Sequence, residues 1–588
     1  MVAASDLLTP RVKRSFRPQD AVAAELLTRE LGVLPAAARV LTARGYLTVD
    51  DARLHLSPQP DGLHDPFGMS GVPEAVERLV ATCRRGGRVV VFGDYDCDGI
   101  GALAILTTTL KKLGADARPF IPHRLKDGYG LKSATLLRAL DEHQPEGIVT
   151  VDCGITAVDP VAEAVARGVY VIVTDHHLPP TGLPEGAVLI DPKIPGCRYP
   201  FKELCGAGIA WKLSEALFIA DGERIGVNAA ARLGWMGSLA KIAALSTIAD
   251  MVPLTGENRI LTSWGLSGLA SPRAPGLAAL LQRAGVPAGR SPTSREVAFR
   301  IAPRLNAAGR IDHALRSLEL LTTADAGRAA TLADEIEKTN DERRMIQERV
   351  VAMVLKRLET TFDAGRDAII VEAGPAEEGW HKGVLGIAAS RVASRFARPV
   401  LLLSLDGDVV SGSGRSWGTT PLYERLAPVA RRFTNEFGGH HAALGITLPK
   451  GKLEAFREEL ADAFRSARDE REWTEELAVD TELSPAEVSN LLTDDLKRFE
   501  PHGHENPKPL FRLPRLEWDG RAQPVGERGL RLHFTAHGQR IDAVGWTLAD
   551  RPPAHRRGLF DVAANLTRDS FTGLPTLTVV DLVTSNPG

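Results

Sequence analysis

Cysteine is scarce in this 588-residue chain and forms no pattern. The five residues, Cys83, Cys97, Cys153, Cys197 and Cys205, are odd in number and contain no C-x-x-C pair. A disulfide framework or a zinc ribbon is therefore not expected, and a reduced, intracellular setting is. Long apolar runs are also missing. No stretch approaches the roughly 20 residues that span a bilayer, and Arg11, Lys13, Arg14 and Arg17 have no long apolar segment after them. Neither a membrane span nor a secretory leader is expected, which points to the cytoplasm. Charge of one sign is lacking too. A formal net charge of −3 excludes a coat of basic residues for indiscriminate duplex binding, though a groove needs only local positive charge. There is no low-complexity tract and no long-period repeat.

What remains is ordinary globular composition, 44% hydrophobic and 25% charged. Single cores stop growing near roughly 250–300 residues, so two to four domains are expected. The stretch Ala21–Leu31 is amphipathic, with Gly32 placed to end it. From Arg88 to Pro192 a strand–helix rhythm repeats. Val89–Phe92 is a short, wholly apolar run, and Ile148–Val151, Val169–Val173 and Ala187–Ile190 are short, largely apolar ones, as strands buried on both faces require. Gly101–Leu113 and Val161–Gly168 read as the helices between them. Strands alternating with helices predict a parallel α/β sheet. Residues 205–320 read as mostly helical. Ala324–Leu358 has no proline and no glycine after Gly327, and predicts one long helix. A second α/β region follows, with strands near Ala368–Val371 and Val400–Leu403. The short alternating runs Arg531–Phe534 and Ile541–Val544 predict a small β-barrel at the C-terminal end.

The strongest chemical signal is acidic. Asp94, Asp96 and Asp98 alternate just after the first buried strand, and Asp152, Asp175 and Asp191 each follow another. Residues just past the carboxyl ends of parallel strands gather in one crevice. A single such aspartate is commonly a helix N-cap, and Asp98 before Gly99 is a candidate for that role. Several strand ends carrying the same group predict a cluster. Two unit charges about 4 Å apart repel by about 4 kcal/mol at an effective dielectric near 20. Several ionised carboxylates in one cleft therefore require cations. Oxygen ligands with a few imidazoles favour Mn²⁺ or Mg²⁺, and a two-ion site generates hydroxide and clamps a transferring phosphoryl group.

With Gly93–Asp94–Tyr95–Asp96–Cys97–Asp98–Gly99 and Asp175–His176–His177, the chain resembles the DHH phosphoesterase superfamily and, within it, the bacterial RecJ exonucleases. The resemblance runs from about Phe67 to the end. It implies an α/β fold of two α/β lobes, a DHH parallel-sheet domain and a DHH-associated domain, joined by a long helix and followed by an OB-fold β-barrel. The expected bounds are 1–75 for an N-terminal helical and loop segment, 76–322, 323–360 for the connecting helix, 361–468 and 469–588. It implies that Asp94, Asp96, Asp98, Asp152, Asp175, His176, His177 and Asp250 are catalytic. All of these except Asp175 and His177 would hold two Mn²⁺ or Mg²⁺ ions, and His177 would face the scissile phosphate. Asp250 comes from the resemblance alone. Pattern reading does not prefer it to Asp191, which the resemblance leaves as a turn residue.

Further blocks match. Arg124 and Tyr129 lie in Pro122–Leu131, and Arg304, Asn306 and Arg310 in Pro303–Arg310. In the second lobe His381, Ser413, Arg415, Gly438, Gly439 and His440 lie in glycine-rich turns, where backbone N–H groups can approach phosphate closely. By resemblance all these residues bind substrate, with Ser413 and Arg415 at a 5′ phosphate. Arg531, His533, Phe534, Trp546 and Phe571 are candidate barrel contacts, weighed against a role in filling the barrel core. The chain departs from many relatives at Phe92, where they have histidine, and at Glu505, where they have glycine.

The implied activity is a single-strand-specific 5′-to-3′ DNA exonuclease releasing 5′-mononucleotides, in DNA repair and recombination. The implied partners are single-stranded DNA and, in the family, single-strand-binding protein and a RecQ-type helicase. No oligomerisation signature is present, which makes a monomer the expectation. Two alternatives stand beside this reading: a DHH oligoribonuclease or cyclic-dinucleotide phosphodiesterase, and a non-catalytic nucleic-acid scaffold. The barrel after about Trp473 argues for a long polymer, and the intact acidic motifs argue against the scaffold.

Overall fold

The computed structural model describes residues 12–124, 126–128, 130–526, 529–546, 548 and 557–585. The chain divides into two compact units. One comprises Pro58–Met345 with Pro501–Pro507, and the other Met1–Ser57, Ile346–Glu500 and Lys508–Gly588.

The first unit is built on a five-stranded, all-parallel sheet. Its strands lie in the order Asp116–Phe120, Arg88–Gly93, Gly147–Val151, Tyr170–Thr174, Val188–Ile190. Past Arg88 every residue of the second of these is buried, as are all five of Gly147–Val151. That is why both read as near-continuous apolar runs, interrupted only by Thr150 in the second. The Asp116–Phe120 strand escaped sequence reading. It is an edge strand with charged and proline residues (Asp116, Arg118, Pro119) and shows no apolar run. The strand order reverses direction between Arg88–Gly93 and Gly147–Val151. Ligands in such sheets bind outside the carboxyl ends at this switch point. The helix after the first strand begins at Cys97, one turn before the expected Gly101. Helices Gly206–Asp221 and Ala229–Ala249 pack on it to complete a helical layer. The expected long helix is present as Ala326–Thr361.

In the second unit a mixed five-stranded sheet runs in the order Phe437–His440, Ala443–Pro449, Val409–Arg415, Val400–Asp406, Ile370–Pro375. The barrel strands Phe511–Val525, Gly529–Ala536, Gln539–Gly545, Pro575–Thr584 and Gly558–Arg568 close on themselves, because the first also pairs with the last. The N-terminal segment is not independent. Strand Val12–Phe16 pairs in parallel with Glu475–Val479, and Leu27, Val40 and Leu41 share a core with Phe511, Phe534 and Phe560 of the barrel. A strand whose partner lies more than 450 residues away carries no local signal.

Candidate metal centre

Asp94 leaves the end of strand Arg88–Gly93, Asp152 the end of Gly147–Val151, and Asp175 the end of Tyr170–Thr174. Asp94 and Asp152 flank the switch point, and Asp175 ends the next strand of the sheet. Asp96 is the N-cap of helix Cys97–Leu113, its Oδ1 accepting from the N–H groups of Asp98 (2.9 Å) and Gly99 (3.1 Å). The capping role considered for Asp98 therefore belongs to Asp96. Capping turns Asp98 inward, where its carboxylate accepts from the N–H groups of Gly206 (2.6 Å) and Ala207 (2.9 Å). These donors open helix Gly206–Asp221, whose positive end suits an anion. Asp152 sits at φ 59, in the left-handed region that aspartate tolerates better than most residues. Its N–H is held by the Thr174 carbonyl at 3.0 Å.

His176 joins the strand ends to Asp250, the C-cap of helix Ala229–Ala249. Its Nε2 lies 3.1 Å from Asp152 Oδ1, 3.7 Å from Asp250 Oδ2 and 3.8 Å from Asp98 Oδ2. Among the described residues, three groups have ligand atoms within 4.8 Å of one another: Asp94, Asp96 and Asp152; Asp98, His176 and Asp250; Asp152, His176 and His177. Asp175 is different. Its oxygens accept from the N–H groups of Ile155 (2.9 Å), His176 (2.8 Å) and His177 (3.2 Å) and face His177 Nδ1 at 2.7 Å. With its lone pairs so occupied, Asp175 orients the two histidines. Asp191 is buried, its Oδ1 accepting from the N–H of Lys193 at 2.7 Å, as a turn residue does.

The electrostatics demand cations. Burial, then the neighbouring Asp96 carboxylate, pushes Asp94 up to about 8 and Asp98 up to about 6. Burial, then Asp98, pushes Asp250 up to about 9 and Asp152 well above the usual carboxylate range. Burial holds His176 down at about 3, which leaves the neutral imidazole that ligates metals. Burial opposes the charge on His177, but its hydrogen bond to Asp175 and the charges of Asp175, Asp250 and Asp98 together outweigh that and raise it to about 9. Asp94 Oδ1, Asp152 Oδ1 and both ring nitrogens of His176 are buried without hydrogen-bond partners. Unpaired buried oxygens and a neutral imidazole fit divalent ions, for which they are ligands rather than orphans.

A pH effect on stability follows. In chelator, Asp94 and Asp250 hold protons in the folded chain up to about pH 8 and 9, whereas unfolded carboxylates lose theirs near 4. His177 keeps its proton to about 9, against about 6.5 unfolded. Between pH 6.5 and 8 the folded chain thus binds more protons, and its stability declines as pH rises. The melting temperature in EDTA should fall by several degrees from pH 6.5 to 8.5, and Mn²⁺ should abolish most of the fall. A flat profile in EDTA would sink this account of the charges.

The substrate candidates divide. Arg124 stacks on Tyr95 at 4.8 Å, within the acidic loop. Arg310 is close enough to act electrostatically on the same tyrosine. Asn306 Oδ1 accepts from the Cys97 N–H at 2.7 Å, so it braces that loop. Gly309 packs so tightly that a Cβ there would meet the Tyr95 carbonyl oxygen at 2.3 Å. Arg304 is paired with Glu337 through two contacts of 2.5 and 2.8 Å. Tyr129 lies outside the described residues. In the other unit, His381 caps helix Lys382–Phe396 by accepting from the Gly383 N–H (3.2 Å). Ser413 and Arg415 pair with Gly445 and Ala443 across the sheet, and Gly438, Gly439 and His440 form its edge strand. In the barrel, Phe534 is fully buried core, His533 bonds Asp542 at 2.7 Å, and Trp546 and Phe571 are exposed. The N–H clamp on Asp98 from Gly206 and Ala207 went unassigned. Its only signal was the Gly-Ala-Gly run after Cys205.

This arrangement of an acidic loop, a switch-point aspartate and an Asp-His-His triplet defines a DHH phosphoesterase. The DHH family N-terminal domain matches residues 88–237, the DHHA1 domain residues 366–466 and the RecJ OB domain residues 479–580. The single-stranded-DNA-specific exonuclease RecJ of Dickeya dadantii is 34% identical over 513 residues, covering 85% of this chain and 86% of that protein. The Bacillus subtilis RecJ is 35% identical over 547 residues, 92% of this chain, which spans 66% of that longer relative. The crystal structure of Thermus thermophilus RecJ with Mn²⁺ superposes with a TM-score of 0.81 at 31% identity, covering 98% of this chain and 80% of that one. The chain belongs to the RecJ family of exonucleases. Among the described residues no helix is long and apolar enough to cross a membrane.

Proposed function

We propose that this chain is a metal-dependent exonuclease specific for single-stranded DNA, removing 5′-mononucleotides from the 5′ end. The observation that carries the reading is the convergence of Asp94, Asp96, Asp98, Asp152 and Asp250 around His176, with unpartnered oxygens at Asp94 and Asp152. Those five aspartates and His176 would hold two Mn²⁺ or Mg²⁺ ions. Bound there, the ions supply a nucleophile from water and neutralise charge on the transferring phosphoryl group. The residues do the rest. Asp175 fixes the ring of His177, and the charge it maintains there suits a contact with a phosphate oxygen. Arg124, on the face of Tyr95, offers a guanidinium to the same substrate. Ser413 and Arg415 are assigned to a 5′ phosphate, with the glycine-rich strands beside them as support. Single-strand-binding protein and a RecQ-type helicase as partners, a monomeric state and a cytoplasmic location belong to the same reading. Their support is the family resemblance.

The test is an oligonucleotide labelled at either end, with Mn²⁺ and then EDTA. Metal-dependent loss of nucleotides from the 5′ end, with a blunt duplex spared, is the expected result. Cleavage of dinucleotides alone would replace the reading with an oligoribonuclease, and tight binding without cleavage with a scaffold.

A further inference from the structure

The loop that follows Asp250 is strained and is held from its far end. Met251 takes φ 61 and is largely exposed, so side-chain packing does not fix it. A non-glycine residue in this conformation is strained and persists only where its surroundings over-determine it. The anchors are at Pro253 and Leu254. The fully buried Asn258 donates through Nδ2 to the Pro253 carbonyl (3.0 Å) and to the Glu203 carbonyl (2.5 Å), on the loop leading to Gly206. Leu254 N–H donates to the His504 carbonyl at 2.9 Å.

His504 lies in Pro501–Pro507, which packs within the unit that bears the parallel sheet although the chain on either side of it belongs to the other. The segment is built to stay there. Ser294 Oγ donates to the His502 carbonyl, and Arg259 Nη1 to the Pro501 carbonyl at 3.4 Å. Gly503 and Asn506 exchange backbone hydrogen bonds of 3.0 and 3.1 Å, and Asn506 Nδ2 closes on the Pro501 carbonyl at 2.9 Å. Between them Glu505 takes φ 55, a second non-glycine residue in the left-handed region. Gly503 lies against Leu254 so closely that a Cβ there would come within 2.6 Å of Leu254 Cδ1.

We infer that Pro501–Pro507 is a positioning element for Asp250: by pinning Leu254 it sets the strained loop that aims this carboxylate at its divalent ion. Cation binding in the unit that bears the parallel sheet thereby depends on a segment carried between the helix Asn490–Lys497 and the barrel. The inference rests on the proposed metal-dependent reading. It is tested on the full chain by titrating Mn²⁺ and following free Mn²⁺ by EPR, for the wild type, Gly503→Val and Asn506→Ala. Wild type should take up two ions. In both variants one ion should bind about 10–100-fold more weakly, as for lost outer-shell support of a ligand, and the other should be unchanged. Excess Mn²⁺ should restore kcat on single-stranded DNA with KM for DNA unaltered, which a general loss of structure would not allow. Variants that bind both ions as the wild type does, or that lose DNA affinity with Mn²⁺ binding intact, overturn the inference while leaving the metal reading standing. A wild type that takes up no Mn²⁺ overturns both. Should Gly503→Val fail to fold, Asn506→Ala decides.

Discussion

Asp152→Asn should abolish exonuclease activity and yet make the metal-free protein more stable. Asp152 is common to two of the three ligand groups, one with Asp94 and Asp96 and the other with His176 and His177. It would therefore help to hold the ions of both groups. An amide is a poor ligand for a hard cation that a carboxylate would hold. Losing several kcal/mol of transition-state charge stabilisation corresponds to a rate loss of about 10³-fold or more. The stability effect has the opposite sign. Burial, then the carboxylates of Asp98, Asp96, Asp250 and Asp94, drives the Asp152 carboxyl well above its ordinary range. Folding without metal must therefore either bury a carboxylate or protonate it, a cost that asparagine avoids, while it keeps the shape and tolerates φ 59. In EDTA at pH 8.5 the variant should melt above wild type, and in Mn²⁺ the order should reverse. Near-wild-type activity would refute the site assignment. Inactivity with a lower melting temperature in EDTA would mean that Asp152 serves folding instead.

Gly206→Ala is expected to cost about 10²-fold in activity, although it adds only one methyl. A Cβ at Gly206 would lie 2.6 Å from Asp152 Cβ and 2.8 Å from its Oδ1. Asp152 cannot retreat along the backbone, because its N–H is tied to Thr174. Its side chain must turn away, and the Gly206 N–H that holds Asp98 at 2.6 Å moves with the helix start. Two ligands shift together, and a misplacement of about 1 Å suffices for such a loss. Overpacking of this kind costs about 1–3 kcal/mol of stability, so the variant should still fold. The comparison is Gly234→Ala, in helix Ala229–Ala249, where a Cβ meets nothing within 4 Å. It should stabilise by up to about 1 kcal/mol through helix propensity and leave activity unchanged. Equal activities for the two variants would show that the Gly206 contact does not set the site.

The sequence displayed the sheet because its central strands are buried on both faces, and it displayed the strand-end aspartates because parallel strands deliver their carboxyl ends to one edge. Asp250 was illegible by that logic. It ends a helix, Ala229–Ala249, and only tertiary packing brings its carboxylate within 3.7 Å of His176. Asp191 looked equivalent on pattern, but its Oδ1 accepts from its own turn at Lys193 and it joins none of the ligand groups among the described residues. Backbone donors such as Gly206 and Ala207 carry no side-chain signature. Arg304 illustrates the reverse difficulty: a cation in a phosphate-binding block is matched by Glu337, 33 residues on and on the long helix. The pairing of Val12–Phe16 with Glu475–Val479 was hidden for the same reason of sequence separation.

This acidic cluster is expected to hold two divalent ions, which anomalous diffraction from crystals grown with Mn²⁺ would locate. Two peaks are expected, both within ligand distance of carboxylate oxygens from Asp94, Asp96, Asp98, Asp152 and Asp250, with His176 Nε2 bound to one of them. A Mn²⁺-saturated crystal with no peak among these residues, or with ions only elsewhere on the chain, would contradict the account.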